Sequence, residues 1–196
     1  DKEIGIVYSN GNFLQTLAAG RFVFWKGLQE LTFQKEDIST IEISKALNKN
    51  LLEKQSIAFY VREYKIEPSE MGLLFVDGKF VKVLEAGKYY WWKNATTIAV
   101  IKVDMRISTM EIVGQEILTK DKAQIRINFS VQYQVVDIIK SLLENKDFEK
   151  QLYSLMQLAL RSYIGRLTLD ELMENKSAIN EHILNEVTSQ VELLGV

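Results

Sequence analysis

Two aromatic blocks, Phe22-Val23-Phe24-Trp25 and Tyr89-Tyr90-Trp91-Trp92, hold the side chains of this sequence best suited to recognition. Trp and Tyr join a large apolar body to a polar tip, which suits a protein surface or a membrane interface. In a strand, alternate side chains face opposite ways, so Tyr89 and Trp91 share one face and Tyr90 and Trp92 the other. The expected protein or membrane interface is therefore Phe24, Trp25, Tyr90 and Trp92. The alternative is that another layer of the same fold covers both faces.

Reactive chemistry finds much less support. The 196 residues include no cysteine and a single histidine. Disulfides, thiolate nucleophiles and cysteine metal sites are excluded, and His182 alone cannot build a histidine-rich one. The acid pairs are Glu36-Asp37 and Asp170-Glu171. The second lies at a helix start, where negative charge favours the exposed amides. Adjacent acids do not supply the opposed geometry of a glycosidase. The glycine turns lack the following Lys and Ser or Thr of a phosphate loop. No catalytic, cofactor-binding or metal-ligating residue is assigned, and the chain reads as a binding or structural protein, not an enzyme. A net charge of −2 offers no field for nucleic acid. Lys79, Lys82 and Lys88 are interrupted by Asp77 and Glu85, unlike a basic, aromatic-lined groove.

The aromatic blocks close the two copies of an internal repeat. Ile4 to Lys26 aligns with Met71 to Lys93 at an offset of 67 residues (71 − 4). Asn10-Gly11 and Asp77-Gly78 tolerate the positive φ of a tight hairpin, so each copy predicts two strands and a turn. Arg21 to Trp25 is expected as a third strand. Further strands are expected at Leu31–Phe33, Thr40–Ile43, Ile57–Tyr64, Thr97–Arg106 and Glu111–Leu118, with Ser44–Lys54 a short helix or a solvated loop. From Ala123 to Val136 the alternation puts Ile125, Ile127, Phe129, Val131, Tyr133 and Val135 on one face. After Asp137 the period changes. Phe148, Leu152, Leu155, Met156, Ala159 and Leu160 recur at three and four, which predicts an amphipathic helix capped by Asp147 and ended by Gly165. Thr168 and Glu171 read as the capping box of a second helix. Its seam of Ile183, Val187, Val191 and Leu194 has steps of four, four and three and is expected to mediate self-association. Strands followed by helices give an α+β fold class. Two parts are expected: a β-rich unit over 1–56 resembling a partial duplication, and a domain over 57–196.

The run from Gly72 to Gly87 followed by Asp104-Met105-Arg106, the turn Glu116 to Asp121, and the junction Arg161 to Leu172 together resemble the SPFH or Band 7 superfamily of stomatins, prohibitins and flotillins. Within it, the pattern is most similar to bacterial stomatin-like proteins, the slipins. The resemblance implies a β-rich domain leading by amphipathic helices into a coiled coil, with an N-terminal membrane anchor upstream of this segment. It implies a membrane-associated homo-oligomeric scaffold that organises membrane proteins or microdomains, a membrane protease-like companion, a bacterial source and no cofactor. No run here reaches the 18 or more apolar residues of a membrane span. The alternative function is a protein- or peptide-binding adaptor without a membrane role.

Overall fold

Asn10 and Gly11 have φ of 50° and 79°, and Asp77 and Gly78 have 48° and 76°. Two successive positive values make each turn a tight hairpin of the kind whose twist matches its strands. In this computed structural model, residues 2–25, 27–174 and 178–196 are described. The first copy builds β1 (Glu3–Ser9), β2 (Asn12–Leu17) and β3 (Leu31–Asp37). Two short helices follow, α1 (Lys49–Leu52) and α2 (Gln55–Ala58), and then β4 (Val61–Ile66). The second copy builds β5 (Glu70–Val76), β6 (Lys79–Leu84), β7 (Gly87–Trp92) and β8 (Ile98–Asp104).

The repeat is longer than the sequence suggests. β1, β2 and β3 begin 67 residues before β5, β6 and β8 (70 − 3, 79 − 12, 98 − 31). The sheets are ordered β2-β1-β3 and β6-β5-β8. Each hairpin carries a bulge at the same place, Val7/Tyr8 and Leu74/Phe75. The matching side chains repeat too. Asn10 Oδ1 accepts from Glu30 N at 3.0 Å, and Asp77 Oδ1 from Thr97 N at 2.8 Å. Lys35 pairs with Glu3 at 3.6 Å, and Lys102 with Glu70 at 3.3 Å. Ile38 N donates to Lys2 O and Met105 N to Ser69 O, both at 2.8 Å.

The chain divides into two compact units, Asp1–Pro68 with Gly72–Ile101, and Ser69–Met71 with Lys102–Val196. The division expected at 56/57 is thus corrected. Ile57 is fully buried in one cluster with Ile4, Ile6, Leu52 and Trp92, so its apolar side chain ties the two expected parts together. In the first unit, β4 and β7 pair antiparallel as a two-stranded layer. One face of that layer, with Val61, Tyr90 and Trp92, packs on Ile4 and Ile6. The other, with Tyr64, Ile66 and Trp91, packs on Leu74, Leu84 and Ile98.

Three expected strands differ. Ile57–Tyr64 opens as α2, because Ile57 turns inward from a helix, and becomes a strand only at Val61. Thr40–Ile43 is not a strand; it meets Trp92 through one bond, Trp92 N to Ile41 O at 3.0 Å. Arg21–Trp25 forms no strand, since no strand lies alongside to pair with it.

In the second unit, β9 (Ser108–Leu118) and β10 (Gln124–Tyr133) pair antiparallel. Gly114, at φ 67°, sits in a bulge opposite Asn128, whose Oδ1 accepts from Gly114 N at 2.6 Å. Along β10 the odd-numbered apolar residues are half-buried and the even-numbered polar ones exposed, as the alternation predicts. A π-helical turn over Lys140–Glu144 precedes α3 (Phe148–Ile164). Asp147 caps α3 by accepting from Lys150 N at 3.0 Å. Leu152, Met156, Ala159 and Leu160 bury its apolar stripe, while Leu155 is only half-buried. The expected capping box forms: Glu171 Oε2 accepts from Thr168 N at 2.8 Å, and Thr168 Oγ1 from Glu171 N at 3.3 Å. It starts α4 (Leu169–Glu174), and α5 (Ala178–Leu194) follows beyond residues 175–177.

Gly195 ends α5 at φ 77°, and its carbonyl accepts from Val136 N at 2.9 Å and Asp137 N at 3.0 Å. A Cβ there would meet Asp137 O at 2.5 Å and Lys140 Cβ at 2.9 Å. Gly195→Ala is therefore expected to cost at least about 1–2 kcal/mol, the left-handed penalty alone, read as a lowered urea midpoint. A second expectation concerns Tyr133, whose hydroxyl donates to Glu149 Oε1 at 2.7 Å. Burial, then that carboxylate, pushes its phenol up to about 12. The fold favours the neutral phenol, so this contribution is full below the unfolded value near 10 and is lost as pH rises through about 12. Absorbance titration should lose its latest-ionising tyrosine in Tyr133→Phe.

Candidate interaction surface

After β2 the chain leaves the sheet through Ala18-Ala19-Gly20 and runs over the outer face of β2-β1-β3. That face carries Gly5, Leu17 and Phe33. Ile4 and Ile6 point the other way, into the core. Phe24 rests edge-on against Phe33, ring centroids 5.2 Å apart. Val23, Trp25 and Leu28 project outward, Val23 at 99% and Trp25 at 92% exposure, while Phe22 is exposed along the face that borders a groove. Together they leave several large apolar side chains exposed along one short segment. Beneath it lies that groove, open and of about 600 Å³, with Gly5 in its floor and Leu17, Phe22 and Phe33 in its walls. The Glu3–Lys35 pair flanks it.

The four aromatic residues expected at an interface do not share a surface. Trp25 is exposed and Phe24 is half-buried over Phe33. Trp92 is corrected: it is 0% exposed, its ring is core, and its indole N–H has no hydrogen-bond partner among the described residues. Tyr90, on the same face, is half-buried. Its hydroxyl donates to Glu53 Oε1 at 3.1 Å, beside Lys88 Nζ at 2.6 Å from the same oxygen. Burial first, then the Glu53 bond, raises its phenol. The covering layer is the first repeat's own sheet. The alternation itself holds: Tyr89 and Trp91 face one cluster, Tyr90 and Trp92 the other.

The self-association seam is corrected as well. Ile183, Val187 and Leu194 are buried in the second unit's own core, with Val191 packed partly against it. α5 spends its apolar side on α3. Among the acids, Glu36 is buried and accepts from Gln34 Nε2 at 2.6 Å, while Asp37 Oδ1 accepts from Ser39 N at 2.8 Å. Hydrogen bonds to Ser39 hold the Asp37 carboxyl below its ordinary range. Glu171 is lowered by its bonds to Thr168. Asp37 and Glu171 thus serve a turn and a cap, and Glu36 lies within β3. His182 is exposed and stacks on Tyr163 at 5.1 Å. Among the described residues, no group of three or more His, Asp or Glu side chains could hold a metal ion. Sequence reasoning missed the groove over Gly5; only aligning Gly5 with Gly72 across the whole repeat points to it.

A family model described as SPFH domain / Band 7 family matches residues 64–196. The chain belongs to that family. Band 7 domains are structural scaffolds, not catalysts, and the reading of this chain as a non-enzyme follows from the membership. An uncharacterised protein of Methanocaldococcus jannaschii is 36% identical over 49% of this chain and 48% of its own length. A stomatin homolog of Pyrococcus horikoshii is 34% identical over 44% of this chain and 34% of its own. An uncharacterised Schizosaccharomyces pombe protein is 25% identical over 93% of this chain and 50% of its own. The chain thus spans half or less of these relatives. Matches come from archaea, a giant virus, yeast and mouse, so they give a bacterial source no particular support.

The two tryptophan environments separate in one experiment. Trp25→Ser should remove most acrylamide-quenchable fluorescence and shift stability by no more than about 0.5 kcal/mol, as for an isolated surface site. Trp92→Ala should cost about 3–5 kcal/mol. A large loss from Trp25→Ser would mean that the outer segment is structural core.

Proposed function

We propose that this chain is the Band 7 scaffold domain of a membrane-associated homo-oligomer that organises membrane proteins or a membrane microdomain. The observation that carries the reading is the family match over 64–196. The exposed apolar segment at Phe22, Val23 and Trp25 supports it, because a scaffold works by contact and needs a surface with little self-satisfaction. No helix among the described residues is long and apolar enough to cross a membrane. Membrane placement is therefore assigned to an anchor outside this segment. A membrane protease-like protein is the companion this reading favours. Self-association is assigned to surfaces other than the α5 stripe, which the domain uses internally.

The test uses the polypeptide at its natural length, expressed in cells. It should sediment with membranes and, after mild detergent extraction, run as a large oligomer. Val23→Ser with Trp25→Ser should weaken that assembly while leaving the thermal unfolding of this domain within a few degrees of the parent. A monomer recovered from the soluble fraction at every concentration would overturn the scaffold reading.

A further inference from the structure

The two repeats differ in one layer. In the second, the aromatic segment Gly87–Trp92 is a strand because β4 pairs with it, from Val61↔Trp92 to Ile66↔Gly87. Ile66 then lies over Gly72 and packs with Leu84 and Trp91. The fit is close: a Cβ on Gly72 would meet Ile66 Cδ1 at 3.0 Å and Val100 Cγ1 at 3.1 Å. Subtracting 67 maps Gly72, Leu84, Trp91 and Val100 onto Gly5, Leu17, Phe24 and Phe33. Those residues build the groove and the ring pair on the first sheet's outer face. Among the described residues a Cβ on Gly5 meets only Leu17, at 3.5 Å or more, so the place that Ile66 fills in the second repeat is open in the first. By the same offset Gly20–Trp25 is the counterpart of β7, and no strand among the described residues pairs with its backbone.

We propose that this groove and segment receive a β-strand supplied by the polypeptide leading into β1. The strand runs antiparallel to Gly20–Trp25 and seats an apolar side chain over Gly5. The repeat specifies the register. The residue equivalent to Ile66 is two positions ahead of Asp1 (66 − 67 = −1, with Asp1 at 1). Alternate side chains of the completed layer face opposite ways. Phe22 and Phe24 therefore close the groove, and Val23 and Trp25 stay outward for other partners.

The experiment fuses the protein's own Val61–Glu67 heptapeptide directly ahead of Asp1, which places its isoleucine in the open slot. Amides within 21–25 should exchange at least about tenfold more slowly than in the unextended chain, as strand pairing demands, and the melting temperature should rise. Replacing that isoleucine with Asp should abolish the protection, because a carboxylate would be buried over Gly5. Gly5→Val should leave the unextended chain folded yet remove the protection in the extended one, since its side chain takes the slot. Unchanged exchange in a folded, extended chain overturns the proposal. So does protection that is already present without the extension and grows with protein concentration, which would make a second copy the occupant.

Discussion

Everything in the first unit depends on one two-stranded layer that must satisfy two apolar faces at once. β4 and β7 lie between the sheets of the two repeats. Strand alternation sends consecutive side chains to opposite sides, so Trp91 and Trp92 enter different clusters. Each large aromatic ring removes some 150–250 Å² from water. The adjacent pair thus fastens both sheets to the same backbone. The unpartnered indole N–H of Trp92 is the local cost, about 1–3 kcal/mol for a buried donor. Ring burial of this size is about 4 kcal/mol or more at the usual area coefficient, so packing wins.

The second unit solves a different problem with a sheet of only two strands. β10 has one apolar face and one polar face. Two strands bury too little by themselves to be stable. α3 supplies the apolar cover, and α5 covers α3 in turn. The tie that closes the unit is backbone to backbone, from Gly195 to Val136 and Asp137. Only a residue without a side chain can make that approach at positive φ. A glycine at the end of a helix is ordinary as a cap; here it also holds the end of α5 against the strand-to-helix junction.

Much of this was legible in the sequence where local rules govern. The hairpin turns, the alternation in β10, the Asp147 cap and the Thr168–Glu171 box all rest on interactions within a few residues. The failures share the opposite character. An apolar stripe at steps of four, four and three fits a neighbour helix of the same chain as well as one of another chain, and periodicity cannot choose between them. Tyr90 and Trp92 carry the chemistry of an interface, but the sheet that covers them comes from residues some 85 positions earlier (90 − 5), which no local window contains. The boundary at 56/57 failed for the same reason: the repeat suggested two modules, while Ile57 and Trp92 join them in one core.

The aromatic segments make the physical point sharply. Gly-Arg-Phe-Val-Phe-Trp and Gly-Lys-Tyr-Tyr-Trp-Trp have the same pattern, and both have the β-branched or aromatic composition that strands favour. One is a strand and the other is not. The difference is not propensity but the presence of a partner, because a strand's backbone donors and acceptors are satisfied only by a neighbour. Exposed Val23 and Trp25 beside an open groove belong to a strand-forming sequence without a strand partner. Unpaired backbone of this composition is a template for pairing, and proteins commonly protect such templates at sheet edges with charge, proline or cover. Between Gly20 and Trp25 the sole charge is Arg21, and there is no proline. The segment carries little defence against pairing, and its counterpart in the second repeat is paired.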